Sequence, residues 1–284
     1  MGALDLFRLD ERVALVTGGA KGIGAHYATA LAEAGARVVV ADIDQSAIDE
    51  TTARLEAEFP GRVLGLRIDV TDRASLEGMR DSIRETWGRL DIVVNNAGLF
   101  ATLDQRPSAW EIPDAEFDRV LAVNVRGVYA VTEVCAPLLI ENGWGRVINI
   151  ASGMAFKGAK ALVHYAASKA AVVSLTRSLA PELGRHGVTV NTLAPGGTES
   201  ETVLEVKRQR AEAASATPPV SSEAAAGGDS RRSRRGGGAG SAERIIERKE
   251  YPADLVGTLI YLASPASDFL TGQTIVVDGG TYFN

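Results

Sequence analysis

Tyr165 and Lys169 stand four residues apart in His164–Arg185, a stretch whose spacing predicts a long helix closing at Gly187. Residues at i and i+4 share a helix face, so the two side chains are within reach of one another. A free tyrosine titrates at about 10 and is a poor base at neutral pH; a nearby ammonium favours the phenolate and lowers that value. Such a tyrosine can take a proton from an alcohol or give one to a ketone. Ser152 follows the apolar run Arg146–Ile150, where its hydroxyl can hold a substrate oxygen. Spacing alone is weak evidence, because Tyr and Lys at this separation also occur on ordinary helix surfaces. The flanking small residues, Ala166-Ala167-Ser168 and Ala170-Ala171, leave room for something large to pack there.

A second group lies near the N-terminus. Thr17-Gly18-Gly19-Ala20-Lys21-Gly22-Ile23-Gly24 follows one apolar run and opens a helical stretch. Gly18, Gly22 and Gly24 let the backbone turn sharply and approach a pyrophosphate, with free N–H groups of a helix N-terminus behind them. A plain strand–helix turn would also use glycines; the setting at the start of a βαβ unit favours the phosphate reading. Asp42 closes the next run, RVVVAD, where a carboxylate can accept both hydroxyls of an adenosine ribose and repel a 2′-phosphate. That favours NAD over NADP. Lys21 argues the other way, since a basic residue in the turn can pair with a phosphate, and Asp42 could instead cap the next helix.

These residues need a scaffold that brings them to one edge. Strands are predicted at Arg12–Thr17, Arg37–Ala41, Arg62–Arg67, Asp91–Asn95, Arg146–Ile150, Val188–Leu193 and Thr274–Val277. Helices are predicted at Ile23–Ala34, Gln45–Phe59, Asp72–Trp87 (capped by Thr71 or Asp72), Asp114–Ile140 (kinked near Pro137), His164–Arg185 and Asp254–Ala263. The alternation predicts a doubly wound, Rossmann-type parallel sheet with helices on both faces, an α/β single domain over 1–284. Ligands of such sheets bind beyond the carboxyl ends of the strands, where the motifs fall.

With 284 residues, 45% of them apolar, the chain can build one sizeable core. A net charge of −6 gives no electrostatic reason to expect nucleic acid or an anionic membrane. Cys135 is the only cysteine, no signal-peptide pattern opens the chain, and no long uninterrupted apolar run is present, so a cytoplasmic protein is expected. One cysteine and three scattered histidines offer no metal-ligand spacing; His26 and His186 are assigned no role, and His164 is read as packing or pocket rim. From Ala211 to Ala242 Val220 is the only large aliphatic residue, and the segment, with its Arg231–Arg235 run, reads as a flexible insert.

Taken together, Thr17–Gly24, Asp69-Val70, Asn95-Asn96-Ala97-Gly98, Asn124, Ser152, Tyr165–Lys169, Asn191 and Pro195-Gly196 resemble the short-chain dehydrogenase/reductase family. The resemblance runs from about Leu9 to Ser200 and again from about Glu250 to the end. It implies that Tyr165 is the acid/base, that Lys169 lowers its pKa and binds the nicotinamide ribose, that Ser152 orients the substrate oxygen, and that Asn124 holds a water relaying protons from Lys169. It further implies a cofactor touching Gly18, Lys21, Gly22, Ile23, Gly24, Asp42, Ile43, Asp69, Val70, Asn96, Gly98, Tyr165, Lys169, Pro195, Gly196 and Thr198. After Pro195-Gly196 the chain departs from the family pattern, with Thr198 and Ser200 where a β-branched aliphatic residue and a threonine are usual. The insert falls in the segment that usually forms the substrate lid, which would start near Glu201 and return near Glu243–Glu250.

The reaction expected is hydride transfer between NAD(H) and a secondary alcohol or ketone. Leu99, Phe100, Met154, Phe156 and Leu162 are expected around the substrate, favouring an apolar or cyclic alcohol over a sugar or a charged acid. An NADPH-dependent reductase of 3-oxoacyl thioesters and a non-catalytic NAD-binding redox sensor are the alternatives. The resemblance implies a homotetramer built through Asp114–Ile140, His164–Arg185 and the C-terminal strand, with Leu270–Asn284 apolar enough to be buried.

Overall fold

The computed structural model describes residues 2–103, 106, 108–216 and 244–283, with no side chain beyond Glu212 in the helix that ends at Ala216. Its strands are β1 Val13–Thr17, β2 Arg37–Asp42, β3 Val63–Arg67, β4 Ile92–Asn95, β5 Gly145–Ile150, β6 Val188–Pro195 and β7 Thr274–Val277. They form one parallel sheet in the order β3-β2-β1-β4-β5-β6-β7. The chain winds outward from β1 through β3, then returns to place β4 on the other side of β1. That reversal opens a crevice above β1 and β4, where ligands of such sheets sit.

The helices are α1 Gly22–Glu33, α2 Gln45–Glu58, α3 Arg73–Trp87, α4 Asp114–Leu121, α5 Gly127–Glu141, α6 Met154–Lys157, α7 Val163–Gly184, α8 Glu201–Ala216 and α9 Ala253–Ala263. Strand residues alternate between two cores. Val38 and Val40 pack with Leu31 of α1 and Leu259 of α9, while Val39 and Ala41 pack with Ile83 of α3 and Leu138 of α5. Both faces are covered, so the central strands read as continuous apolar runs. Each fully buried Val, Leu or Ile contributes about 1.5–3 kcal/mol of transfer free energy.

One row of polar side chains crosses this apolar sheet. Asn95, Asn149 and Thr192 share one register level on β4, β5 and β6. Asn95 Nδ2 donates to Asn149 Oδ1 at 2.8 Å and to Thr132 of α5 at 2.9 Å; Asn149 Nδ2 donates to Thr176 of α7 at 2.8 Å. The network ties both helices to the carboxyl edge of the strands. Such satisfied buried networks fix a unique arrangement.

Several boundaries differ from the sequence reading. Asp114–Ile140 is not one α-helix: a π-helical segment, Ala122–Arg126, separates α4 from α5, and α5 continues through Pro137. This run to Glu141 is long and apolar enough to cross a membrane by composition, but here α5 packs against α3 and α7. The insert begins as helix, since Ala211–Ala216 complete α8; the rest of 211–242 lies outside the described residues. β7 is a half-buried edge strand and Phe283 is 81% exposed.

Candidate active site

The glycine turn sits at the mouth of the crevice. Gly18 and Gly22 have φ of +61° and +52°, which L side chains rarely adopt. A Cβ on Gly24 would lie 1.9 Å from the Gly18 carbonyl oxygen and 2.6 Å from Asn96 Nδ2. Asn96 is a clamp: its Nδ2 donates to the carbonyls of Thr17 (3.1 Å) and Gly18 (2.9 Å). Thr17 Oγ1 in turn accepts from the amides of Asn96 and Ala97. On the same sheet edge α2 and α3 are capped by the carboxylates of Asp44 and Asp72, whereas among the described residues no side chain caps α1. Its first N–H groups are therefore open to an anion such as a pyrophosphate. A bare-backbone turn with an uncapped helix behind it fits the dinucleotide that the sequence implies.

At the end of β2, Asp42 Oδ1 accepts from the amides of Ile43 (2.8 Å) and Asp44 (3.2 Å), and Oδ2 from Ala20 (3.2 Å). A carboxylate has about four acceptor sites, so one remains for a ribose hydroxyl rather than the two expected. Capping of α2 falls to Asp44, not Asp42. Asp44 also pairs with Lys21 at 2.6 Å, offsetting the one basic group in the turn. Asp69 follows β3, its carboxylate held below the usual range by the Thr71 hydroxyl and amide. Val70 is buried and packs against Gly127.

Ser152, Tyr165, Lys169 and Asn124 come together at the carboxyl ends of β4 and β5, all at least nine-tenths buried. The Ser152 hydroxyl accepts from the Met154 amide at 3.2 Å and acts on the Tyr165 phenol. Burial pushes that phenol up to about 12, with the Ser152 hydroxyl opposing the rise. Burial pulls Lys169 down to about 8; its Nζ donates to the Ile150 carbonyl at 2.7 Å and stands 5.8 Å from the Tyr165 ring centroid. The phenol is thus displaced upward rather than downward as expected. Desolvation outweighs the neighbouring amine, whose own charge it also disfavours.

Asn124 sits in the π-helical segment, a geometry that recurs at functional sites. Its Oδ1 accepts from the Leu99 amide at 2.8 Å, and its Nδ2 donates to the Leu99 carbonyl and to Ser168 Oγ, which donates to the Tyr165 carbonyl. A Cβ on Gly98 would lie 3.3 Å from Asn124 Oδ1 and 3.5 Å from Lys169 Nζ, so this glycine permits the close approach of both groups. His164 does not face the cleft chemistry. It is fully buried, with Nε2 3.1 Å from Glu116 Oε1 and its ring stacked on Phe117, which agrees with a packing role.

Beyond β6, Thr198 is buried and forms a bridge with Glu250; its hydroxyl donates to Glu250 Oε1, as does the Gly196 amide at 3.2 Å. Glu250 was not legible as a site residue, because a charged residue after a low-complexity insert reads as surface. His26 of α1 meets Glu201 of α8 at 3.0 Å, an interaction with no short-range signal in sequence.

A cleft of about 640 Å³ joins these parts. Among the expected residues Ile23, Asn96, Gly98, Ser152, Tyr165, Lys169, Pro195, Gly196 and Thr198 line it. Asn124 stands behind its wall, and Gly18, Lys21, Gly22, Gly24, Asp42, Ile43, Asp69 and Val70 lie along the same strand edge outside its lining. The substrate side differs from the sequence reading. Phe100 and Met154 line it, but Leu99, Phe156 and Leu162 do not, while Lys157, Lys207, Arg244, Arg248 and Lys249 add a mainly cationic rim that also holds Glu247 and Glu199, the latter paired with Lys207 and Lys249. The two segments flanking the undescribed stretch supply much of that rim, which sequence could not bring together.

The family model for short chain dehydrogenase matches residues 12–211. Sorbitol dehydrogenase of Cereibacter sphaeroides is 37% identical over 278 residues, 98% of this chain and 100% of the relative. Galactitol 2-dehydrogenase of Agrobacterium fabrum is 34% identical over 281 residues, again 98% and 100%. A solved short-chain type dehydrogenase/reductase from Mycobacterium marinum superposes with a TM-score of 0.82 at 32% identity, covering all of both chains.

Proposed function

The chain belongs to the short-chain dehydrogenase family, and we propose that within it the protein is an NAD-linked dehydrogenase of a small polyhydroxylated secondary alcohol. Oxidoreductase action on CH–OH groups with a nicotinamide cofactor follows from the family and from the sorbitol and galactitol dehydrogenases among the relatives. The observation that carries the site assignment is the convergence of Ser152, Tyr165 and Lys169 in the cleft wall, with Lys169 Nζ 5.8 Å from the Tyr165 ring centroid.

In the oxidising direction Ser152 holds the substrate oxygen and Tyr165 takes the hydroxyl proton. Lys169, with a water that Asn124 would hold, passes protons from Tyr165 toward solvent. The nicotinamide, when bound, supplies the hydride acceptor. Gly18, Gly22, Ile23 and Gly24 would hold its pyrophosphate, Asp42 and Ile43 its adenosine ribose, Asp69 and Val70 its adenine, and Asn96, Gly98, Pro195, Gly196 and Thr198 its nicotinamide half. In the reducing direction Tyr165 returns the proton.

Asp42 supports NAD over NADP, because its carboxylate repels a 2′-phosphate and the Lys21–Asp44 pair offsets the opposing cation. A polyol is supported by the sorbitol and galactitol for which the relatives are named and by Ser152, Lys157, Thr281 and Tyr282 around the cleft; Phe100 and Met154 leave space for the carbon skeleton. We also propose a cytoplasmic location, as expected for a chain whose one cysteine can form no intramolecular disulfide.

The deciding experiment measures NADH and NADPH binding by fluorescence for the wild type and Asp42→Ala, followed by turnover of linear polyols against cyclic apolar alcohols. Tighter NADH binding that the variant loses, with polyol turnover, is the expected result. Equal or tighter NADPH binding would move the 3-oxoacyl reductase reading to the front. Cofactor binding without turnover of any alcohol would leave a redox sensor.

A further inference from the structure

Glu250 is a carboxyl group in an unusual place. It is 5% exposed, at the foot of the segment that returns from the insert. Oε1 is occupied by Thr198 Oγ1 and the Gly196 amide. Oε2 is buried and accepts no hydrogen bond among the described residues; Arg244 Nη2 stands 3.8 Å from it. A Cβ on Gly196 would lie 2.7 Å from Oε2. Gly196 itself lines the cleft. One glycine backbone therefore separates an incompletely paired carboxyl oxygen from the part of the cleft assigned to the nicotinamide.

The oxidised nicotinamide ring carries a positive charge and the reduced ring carries none. A fixed negative charge behind Gly196, in a water-poor setting, therefore interacts unequally with the two forms. We propose that Glu250 is a positioning residue that orders the Gly196–Thr198 segment through Oε1 and, through its charge, favours the oxidised cofactor over the reduced one. The inference rests on the reading of this cleft as the nicotinamide site.

The charge is conditional. Burial, opposed by Thr198, Arg244 and the Gly196 amide, raises the Glu250 carboxyl above the usual carboxylate range, and Asp278 at the end of β7 adds to the rise. Tyr27 of α1 feels its charge, its own hydroxyl buried without a hydrogen bond among the described residues. As pH rises through the Glu250 titration the negative charge appears, and preference for the oxidised form grows. Lys169 loses its charge near 8 in the same cleft, so the informative quantity is the difference between proteins that share Lys169.

The test is the ratio of dissociation constants for NAD⁺ and NADH, by calorimetry and fluorescence from about pH 5 to 9. Wild type is compared with Glu250→Gln, which keeps an acceptor for Thr198 and Gly196 without the charge, and with Arg244→Gln. Glu250→Gln should weaken NAD⁺ relative to NADH on the order of tenfold at the alkaline end and flatten the Glu250-dependent part of the curve. Arg244→Gln should move that part to higher pH. Thr198→Val should weaken both forms alike. Should Glu250→Gln fail to fold, the Arg244→Gln shift decides. Ratios unchanged in every folded variant would overturn the inference, whereas a wild type that binds neither form would instead overturn the cofactor reading beneath it.

Discussion

Two buried groups of the catalytic wall are displaced in opposite directions. With Tyr165 raised to about 12, the phenol keeps its proton through the neutral range. It is ready as an acid toward a ketone and must lose that proton to act as a base toward an alcohol. Alcohol oxidation should therefore climb with pH on the alkaline side while ketone reduction falls, checked by pH profiles of kcat/KM in both directions. Tyr165→Phe should lower turnover by roughly 10²–10⁴ with NADH binding retained. The same displacements appear in stability. Between about 8 and 10.5 unfolded Lys169 binds a proton that the folded form does not, so this group makes stability rise with pH there. Tyr165 acts oppositely between 10 and about 12, where the folded form keeps a proton the unfolded chain has lost. In urea unfolding, Lys169→Met should be less pH-dependent than wild type from about pH 8 to 10.

Short elements hold the two halves of the cleft in register. The turn between β1 and α1 works because Gly24 lies against the Gly18 carbonyl and Asn96. Gly24→Ala must push one of them away. It should weaken NADH binding at least about tenfold and cost on the order of 1–3 kcal/mol of stability, measured by fluorescence titration and denaturant unfolding. The π-helical segment turns Asn124 toward Leu99 and Ser168, giving the catalytic helix α7 a brace that a regular α-helix between α4 and α5 would not offer. The glycine turn was readable beforehand because its residues are contiguous. The π segment was not, since its ladder shifts by one residue without any proline or glycine at Asn124 to mark it.

For the whole molecule, apolar groups remain outside the fold. Tyr129 on α5 is 44% exposed, Val163 at the start of α7 is 43% exposed, and β7 leaves one edge unpaired. We propose that these are covered in a homotetramer, as the family resemblance implies. Tyr129→Lys should reduce the assembly to smaller species in analytical ultracentrifugation, while the far-ultraviolet spectrum stays that of wild type.

Local patterns carried much of this protein. The seven apolar runs, the glycine turn, and Tyr165 with Lys169 on one helix face all depend on residues within a few positions of each other, so hydrophobic period and backbone freedom reveal them in the linear chain. What depended on distant residues meeting in space was hidden. The Asn95–Asn149–Thr192 row exists because three strands share a register. The cationic rim exists because Lys157, Lys207 and Arg244 converge from three separate segments, and Glu250 is buried because the segment after the insert folds back beneath Gly196. The displacement of Tyr165 upward rather than downward belongs here too: desolvation is set by everything packed around a group, and no spacing along the chain reports it.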